Sequence, residues 1–194
     1  MGEIAAFVLA GGQSRRMGTD KAFLDWEGRP LLQHALDLVA SVCPRVSIVG
    51  AADKFSGYGP VIEDHFLARG PLAGIHAALC SSKANLNLIL AVDLPFVEQR
   101  FLEFLLEQAN QSKPLVTVPR TADGWQPLCA VYRREFADVA DTALRLGRNK
   151  IDSLFSEVDL RVIQENELRN FRFSAQMFRN LNTPEDLAHA RPPE

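Results

Sequence analysis

The stretch VLAGGQSRRMGTDKAFL, residues 8–24, leaves an apolar run for two glycines, two arginines, a third glycine and a lysine, with no apolar residue between Ala10 and Met17. The run that contains its start, IAAFVLA (4–10), has the length and composition of a buried strand. Glycines placed directly after such a strand allow a sharp turn and expose backbone N–H groups with no Cβ in the way, which is how proteins cradle phosphates. Arg15, Arg16 and Lys21 add positive charge where an anion would sit. The spacing matches neither G-x-x-x-x-G-K-[ST] nor G-x-G-x-x-G, so a plain kinase or dehydrogenase reading loses ground. A tight turn followed by a solvated loop would use the same residues, and the rest of the chain has to decide between the two.

Outward from this stretch, short β-type runs alternate with helix-period stretches: PLLQHALDLVASV (30–42), RVSIVG (45–50), PLAGIHAALCSSK (71–83), LNLILAV (86–92) and VEQRFLEFLLEQAN (97–110). That rhythm belongs to β-α-β units around a mainly parallel sheet. Leu32, Ala35, Leu36, Val39 and Ala40 fall at helical spacing, and Pro30 suits a first helical turn. PLVTVP (114–119) and PLCAVYR (127–133) flank TADGWQ, whose Asp-Gly favours a hairpin turn. EFADVADTALRL and NKIDSLFSEV read as helices, LRVIQ as a short strand, and Thr183 as the cap of a final helix. No repeat, low-complexity segment or linker divides the chain. The expectation is α/β, a three-layer, Rossmann-like fold with a mainly parallel central sheet, in a single domain over 1–194.

Composition limits the partners. The chain has 194 residues, 47% hydrophobic and 23% charged, with a formal net charge of -3. This is the balance of a globular protein with no global basicity for nucleic acid. LNLILAV is far short of the ~20 apolar residues needed to cross a bilayer, and Glu3 stands where an export signal would be basic. Cys43, Cys80 and Cys129 are odd in number, widely spaced and form no CxxC pair, which argues against disulfides or structural zinc. A cytoplasmic protein, with no nucleic-acid or membrane partner, is expected.

Two further places concentrate chemistry. In LILAVDLPFV a strand runs into Asp93, which puts a carboxylate at the carboxyl end of the sheet, where open α/β sheets bind ligands. One carboxylate there suits Mg²⁺, a cation held by few protein ligands plus substrate phosphates. The lesser alternative is that Asp93 caps the helix near Val97 or fixes the Leu-Pro turn. In VIEDHFLARGPLAG (61–74), Gly70-Pro71 opens a helix, and Asp64 just upstream can accept hydrogen bonds from a base or ribose or remain solvated. Glu63 and His65 read as solvated. His34, His65, His76 and His189 show no metal-ligand spacing, and no cysteine lies beside an evident base. Arg145, Arg148 and Lys150 form a basic cluster that reads as a solvated helix end or as a contact for a second anion.

Taken together, LAGGQSRRMGTDK, GPLAG, LAVDLPF and NLNTPEDL resemble the molybdenum cofactor guanylyltransferases, in the same order and at compatible spacing from about Phe7 to Ala188. The first motif is also similar to that of nucleotidyltransferases acting on sugar phosphates and alcohols, and the LAGG and GPLAG forms lean toward the guanylyl branch. The resemblance implies that Leu9, Ala10, Gly11 and Gly12 contact the guanine nucleotide, and that Arg15 and Lys21 hold its phosphates. It also implies that Asp64 meets the nucleotide and that Asp93 meets both the nucleotide and Mg²⁺. Arg15, Lys21 and Asp93 are then the catalytic set. Gly50 departs from the pattern, standing where some members have a nucleotide-contacting Asn, and the TDK spacing is one residue shorter than in some. Trp125, Asn180 and Asn182 are the candidates for holding a pterin, on position alone.

The reaction implied is attack of the terminal phosphate of molybdopterin on the α-phosphorus of GTP, with pyrophosphate leaving. A phosphate monoester with a second pKa near ~6 needs no general base at neutral pH. A missing catalytic His or Cys is therefore no objection. Transfer of another nucleotide to another phosphate or alcohol acceptor, or a nucleotide-binding delivery module without turnover, are the alternatives. Transient docking with the cofactor synthase or with recipient molybdoenzymes would accompany the first reading.

Overall fold

Strand β1 (Ile4–Leu9) holds the middle of the sheet because its residues, five of six buried, are apolar on both faces. The structure is a computed structural model and describes residues 3–11, 20–66 and 68–181. After β1 come the two-residue strands β2 (Asp25–Trp26) and β3 (Arg29–Pro30), paired with each other, then α1 (Leu31–Ala40), β4 (Val46–Val49), the short α2 (Ala52–Phe55) and β5 (Val61–Ile62). They are followed by α3 (Pro71–Ser81), β6 (Leu86–Ala91), α4 (Gln99–Ser112), β7 (Val116–Thr121), β8 (Gly124–Trp125) and β9 (Cys129–Arg133). The described residues close with α5 (Phe136–Arg145), β10 (Leu160–Gln164) and α6 (Glu165–Asn170).

The main sheet has the order β10-β7-β9-β6-β1-β4-β5, with β8 added on β7. β1 is parallel to both β4 and β6, β4 to β5, and β10 to β7, whereas β9 runs antiparallel between β6 and β7. Two antiparallel steps restore direction, so β7 is parallel to β6. The carboxyl ends of β1, β4, β6, β7 and β10 therefore share one edge. Helices α1 and α4 cover one face, with Leu32, Val39, Phe101 and Leu105 in its core, and α3 and α5 cover the other, with Ile75, Leu79, Ala140 and Leu144. The α/β, three-layer expectation with a mainly parallel sheet is met.

Asn87 is the polar exception in β6 and is fully buried. Its amide donates to the carbonyls of Ala84 and Tyr132, both at 3.2 Å, and its Oδ1 accepts from the Ser82 hydroxyl. Every polar atom of the amide is thus partnered, as burial requires. This ties the end of α3 to the start of β6.

Local differences from the sequence reading have physical reasons. Pro30 stands before α1, in extended backbone (ψ 142°), because it pairs with Asp25 in the β2–β3 ribbon. NKIDSLFSEV forms only a 3₁₀ turn at Ile151–Leu154, since Ile151, Leu154 and Phe155 reach the core from a single turn. The helix after Asp93 begins at Gln99, with Glu98 as its N-cap. The Thr183-capped helix lies outside the described residues.

Candidate functional site

At the carboxyl edge, β1 and β4 come close together. The N–H groups of Ala10 and Gly11 both donate to the Val49 carbonyl at 3.0 Å, and the Val92 N–H donates to the Leu9 carbonyl at 3.1 Å. Gly11 faces Gly50, whose Cα lies 3.4 Å from where a Cβ on Gly11 would stand. A Cβ on Gly50 would meet Phe55 ring carbons at 2.6 and 2.8 Å and the Gly11 nitrogen at 3.3 Å. Phe55 therefore occupies the space that a side chain at position 50 would need. Leu9, Ala10 and Gly11 come together here; Gly12 and Arg15 lie outside the described residues.

The chain re-enters at Asp20, whose carboxylate accepts from the Ala22 N–H at 3.2 Å and pairs with Lys54 at 2.9 Å. A 3₁₀ turn follows, Lys21–Phe23, and Phe23 packs on the rings of Phe55 and Tyr58 at centroid distances of 5.7 and 5.9 Å. So anchored, Lys21 places its ammonium 3.6 Å from the Asp93 carboxylate, with side-chain exposures of 27% and 19%. Burial raises the Asp93 carboxyl above its ordinary range, and the Lys21 charge works against that rise. A partly desolvated carboxylate facing a cation is chemically matched to a metal ion or a polyphosphate counter-charge.

Asp93 sits where β6 ends, and its carbonyl accepts the Leu181 N–H at 3.0 Å. Asn180 is consequently beside Asp93 in space and exposed; Asn182 lies outside the described residues. Among the described residues no group of three or more His, Cys, Asp and Glu could hold a metal ion. A metal here would depend on Asp93 and on substrate oxygens, an arrangement that fits Mg²⁺.

On the β5 side, Glu63 accepts the Ala52 N–H at 3.0 Å and so braces α2. Asp64 has a buried Oδ1 with no protein partner, and burial raises its carboxyl above the ordinary range, with the charge of His65 opposing. A buried acceptor without a donor is poised for a ligand N–H or O–H. Gly70 (φ 73°) turns the chain into Pro71 at the start of α3. On the other side of Asp93, Trp125 leans edge-on against Phe155 at 5.0 Å, and the Arg120 guanidinium lies 4.8 Å from its ring centre.

The basic cluster has the form of the solvated helix end, each cation exposed and ion-paired: Arg145 with Asp141 at 2.6 Å, Arg148 with Glu157 at 2.5 Å and Lys150 with Asp152 at 3.2 Å. One expectation changes. A cysteine does lie beside a base, since the Cys80 sulfur is 3.3 Å from His76 Nε2, which is also 3.8 Å from Asp141. Their spacing of four residues on one helix is the signal that would have found the pair. Burial pushes the Cys80 thiol up and the His76 imidazole down, so the resting pair is neutral and supplies no activated nucleophile.

The same architecture recurs in known proteins. The profile of the MobA-like NTP transferase domain matches residues 6–162. A molybdenum cofactor guanylyltransferase of Desulfosudis oleivorans is 35% identical over 98% of this chain and 95% of its own length. A probable molybdenum cofactor guanylyltransferase of Pelotomaculum thermopropionicum is 33% identical over 95% of this chain and 90% of its own. Among solved structures, molybdopterin-guanine dinucleotide biosynthesis protein A of Archaeoglobus fulgidus superposes with a TM-score of 0.83, at 28% identity and 96% coverage of each chain. With a profile match over most of its length and full-length relatives above 30% identity, the chain belongs to the MobA-like nucleotidyltransferases, in the company of the molybdenum cofactor guanylyltransferases.

Proposed function

We propose that this protein transfers GMP from GTP to the terminal phosphate of molybdopterin, releasing pyrophosphate and forming the guanine dinucleotide cofactor. The observation that carries the reading is the Lys21–Asp93 pair at 3.6 Å, beside the glycine turn at the end of β1, in a chain 35% identical to a molybdenum cofactor guanylyltransferase. Leu9, Ala10, Gly11 and Gly12 would take the nucleotide through backbone groups, Arg15 and Lys21 its phosphates, and Asp64 a base or ribose donor. Asp93 would hold Mg²⁺, which when bound neutralises charge on the transferring phosphoryl group. Asn180 and Asn182 would serve the pterin of the acceptor.

The chain's own work is positional and electrostatic. An oxygen of the acceptor phosphate forms a bond to the α-phosphorus, and the bond to the β-bridging oxygen breaks. The electron pair leaves with pyrophosphate. No proton has to be removed from a dianionic acceptor, so the site has only to align two repelling anions and screen the leaving group. Asp93 would hold the metal, and Lys21, 3.6 Å from it, would pair with the phosphates, so that each charge has a partner. The protein acts in this reading as a single nucleotidyltransferase domain of the cytoplasm, with its handover to recipient enzymes or from the synthase made by transient contact.

Calorimetric titration with GTP, CTP and ATP, each with and without Mg²⁺, tests the donor, and pyrophosphate release on adding molybdopterin tests the transfer. Mg²⁺-dependent, GTP-selective binding followed by release is the expected result. Preference for CTP would change the product, and binding without release would leave a nucleotide-binding module.

A further inference from the structure

The donor side of the site has its cations assigned, but the acceptor is an anion too and must be held against a triphosphate. Register says where to look. Val116 of β7 lies opposite Tyr132, Tyr132 opposite Asn87 and Asn87 opposite Ala5. Beyond Thr117 the partner of β7 becomes β8, with Arg120 opposite Trp125, and the chain then runs on to Leu128, whose carbonyl accepts the Ala91 N–H at 2.8 Å just before Asp93. Arg120 therefore stands near the carboxyl end of β7, on the side of β6 away from β1. In-line displacement requires the attacking oxygen opposite the departing pyrophosphate. With the triphosphate on the β1 side, the attacking phosphate comes from the β9–β7 side.

Arg120 is prepared for it. Its position follows Val116 and Val118 with a period of two, so an exposed cation stands at the apolar phase of the strand. Its guanidinium lies over the Trp125 ring at 4.8 Å, and Phe155 backs that ring at 5.0 Å. The hairpin that carries both is clamped: the Ala122 N–H donates to Glu165 at 2.6 Å and the Gln126 N–H to the Pro119 carbonyl at 2.9 Å. The neighbouring cations are taken, Arg161 by Glu167 and Arg169 by Glu165. Among the described residues no carboxylate lies within ion-pair distance of Arg120. A guanidinium held over an aromatic ring can still offer N–H groups to two phosphate oxygens.

Resting on the guanylyl-transfer reading, we infer that Arg120 binds the phosphate monoester of the acceptor and that Trp125 is the positioning residue that orients its guanidinium.

Steady-state transfer from GTP to molybdopterin, measured on Arg120→Gln, Arg120→Lys, Trp125→Ala and the Arg120→Gln/Trp125→Ala pair, tests this. Loss of a charged hydrogen-bond donor predicts a rise of roughly 10- to 100-fold in acceptor KM for Arg120→Gln. Calorimetric affinity for GTP and the Tm stay at wild-type values, and Arg120→Lys recovers part of the loss. The double variant is no worse than Arg120→Gln alone, because Trp125 acts through Arg120; additive losses overturn the positioning role. Wild-type transfer with an unchanged acceptor KM in Arg120→Gln overturns the inference and leaves the guanylyl-transfer reading standing. No transfer by the wild-type protein overturns both.

Discussion

Replacing Gly50 by alanine puts a methyl carbon 2.6 and 2.8 Å from two ring carbons of Phe55 and 3.3 Å from the Gly11 nitrogen. A Cβ has no torsion by which to escape, so either the ring or the backbone must move. Phe55 is 1% exposed and packed against the tilted ring of Phe23, and its displacement is felt as overpacking, which costs about 2 kcal/mol. For a domain of this size each kcal/mol shifts the midpoint by roughly 2–4 °C, so Gly50→Ala is expected to lower Tm by about 4–8 °C. Differential scanning calorimetry on Gly50→Ala, Phe55→Leu and the double variant reads it. The narrower leucine relieves the clash, so the double variant should lose at least ~1 kcal/mol less than the sum of the singles. A Gly50→Ala Tm within about 1 °C of wild type, or strict additivity, refutes the packing argument.

Asp93→Asn should abolish Mg²⁺-dependent turnover while leaving Tm at pH 7 at or above wild type, because burial already disfavours the ionised carboxylate there. A clear drop in Tm would show that Asp93 is structural. Lys21→Gln should tighten Mn²⁺ binding to the nucleotide-free protein, by removing the cation 3.6 Å from Asp93, and weaken GTP binding; unchanged Mn²⁺ affinity by paramagnetic resonance would refute the charge exchange. His76 is held below its ordinary 6.5 chiefly by burial, with Asp141 and Asp138 opposing and His65 and Arg145 assisting. The folded protein then binds fewer protons than the unfolded one just below pH 6.5, and stability is lost as pH falls through the depressed value. His76→Gln should flatten the Tm profile over that window, and an unchanged slope there would count against it.

The edge of the sheet was readable because apolar runs ending in Gly-Gly and in Asp-Leu-Pro are local signals, and β1 and β6 carry them. Three kinds of feature were not. Ile151, Leu154 and Phe155 have helical spacing, yet one 3₁₀ turn satisfies the same spacing, so periodicity alone cannot tell them apart. Glu165–Asn170 is polar all round except for Leu168, and its ion pairs, Glu167 with Arg161 and Glu165 with Arg169, are tertiary or need the helix first. Phe55 and Gly50 are a contact between elements, which explains why position 50 has no side chain though nothing around it in the sequence does. Arg120 left a trace, a charge in the buried phase of Val116 and Val118, that becomes meaningful only once β7 is known to end at the same sheet edge as β6.

The reversed course of β9 separates what can drift from what cannot. Because it runs against its neighbours, its entrance lies at the carboxyl edge, and the chain that leads to it from Thr121 is exposed at Ala122 and Asp123. Insertions in such a surface connection cost little closure entropy and leave the pairing of β6 intact. The opposite flank, where Gly11, Gly50 and Phe55 interlock, has no room for even a methyl group at position 50 without displacing Phe55. A lineage could thus alter which acceptor it serves by lengthening one hairpin while keeping its nucleotide chemistry, and an engineer could graft a new acceptor preference at the same place.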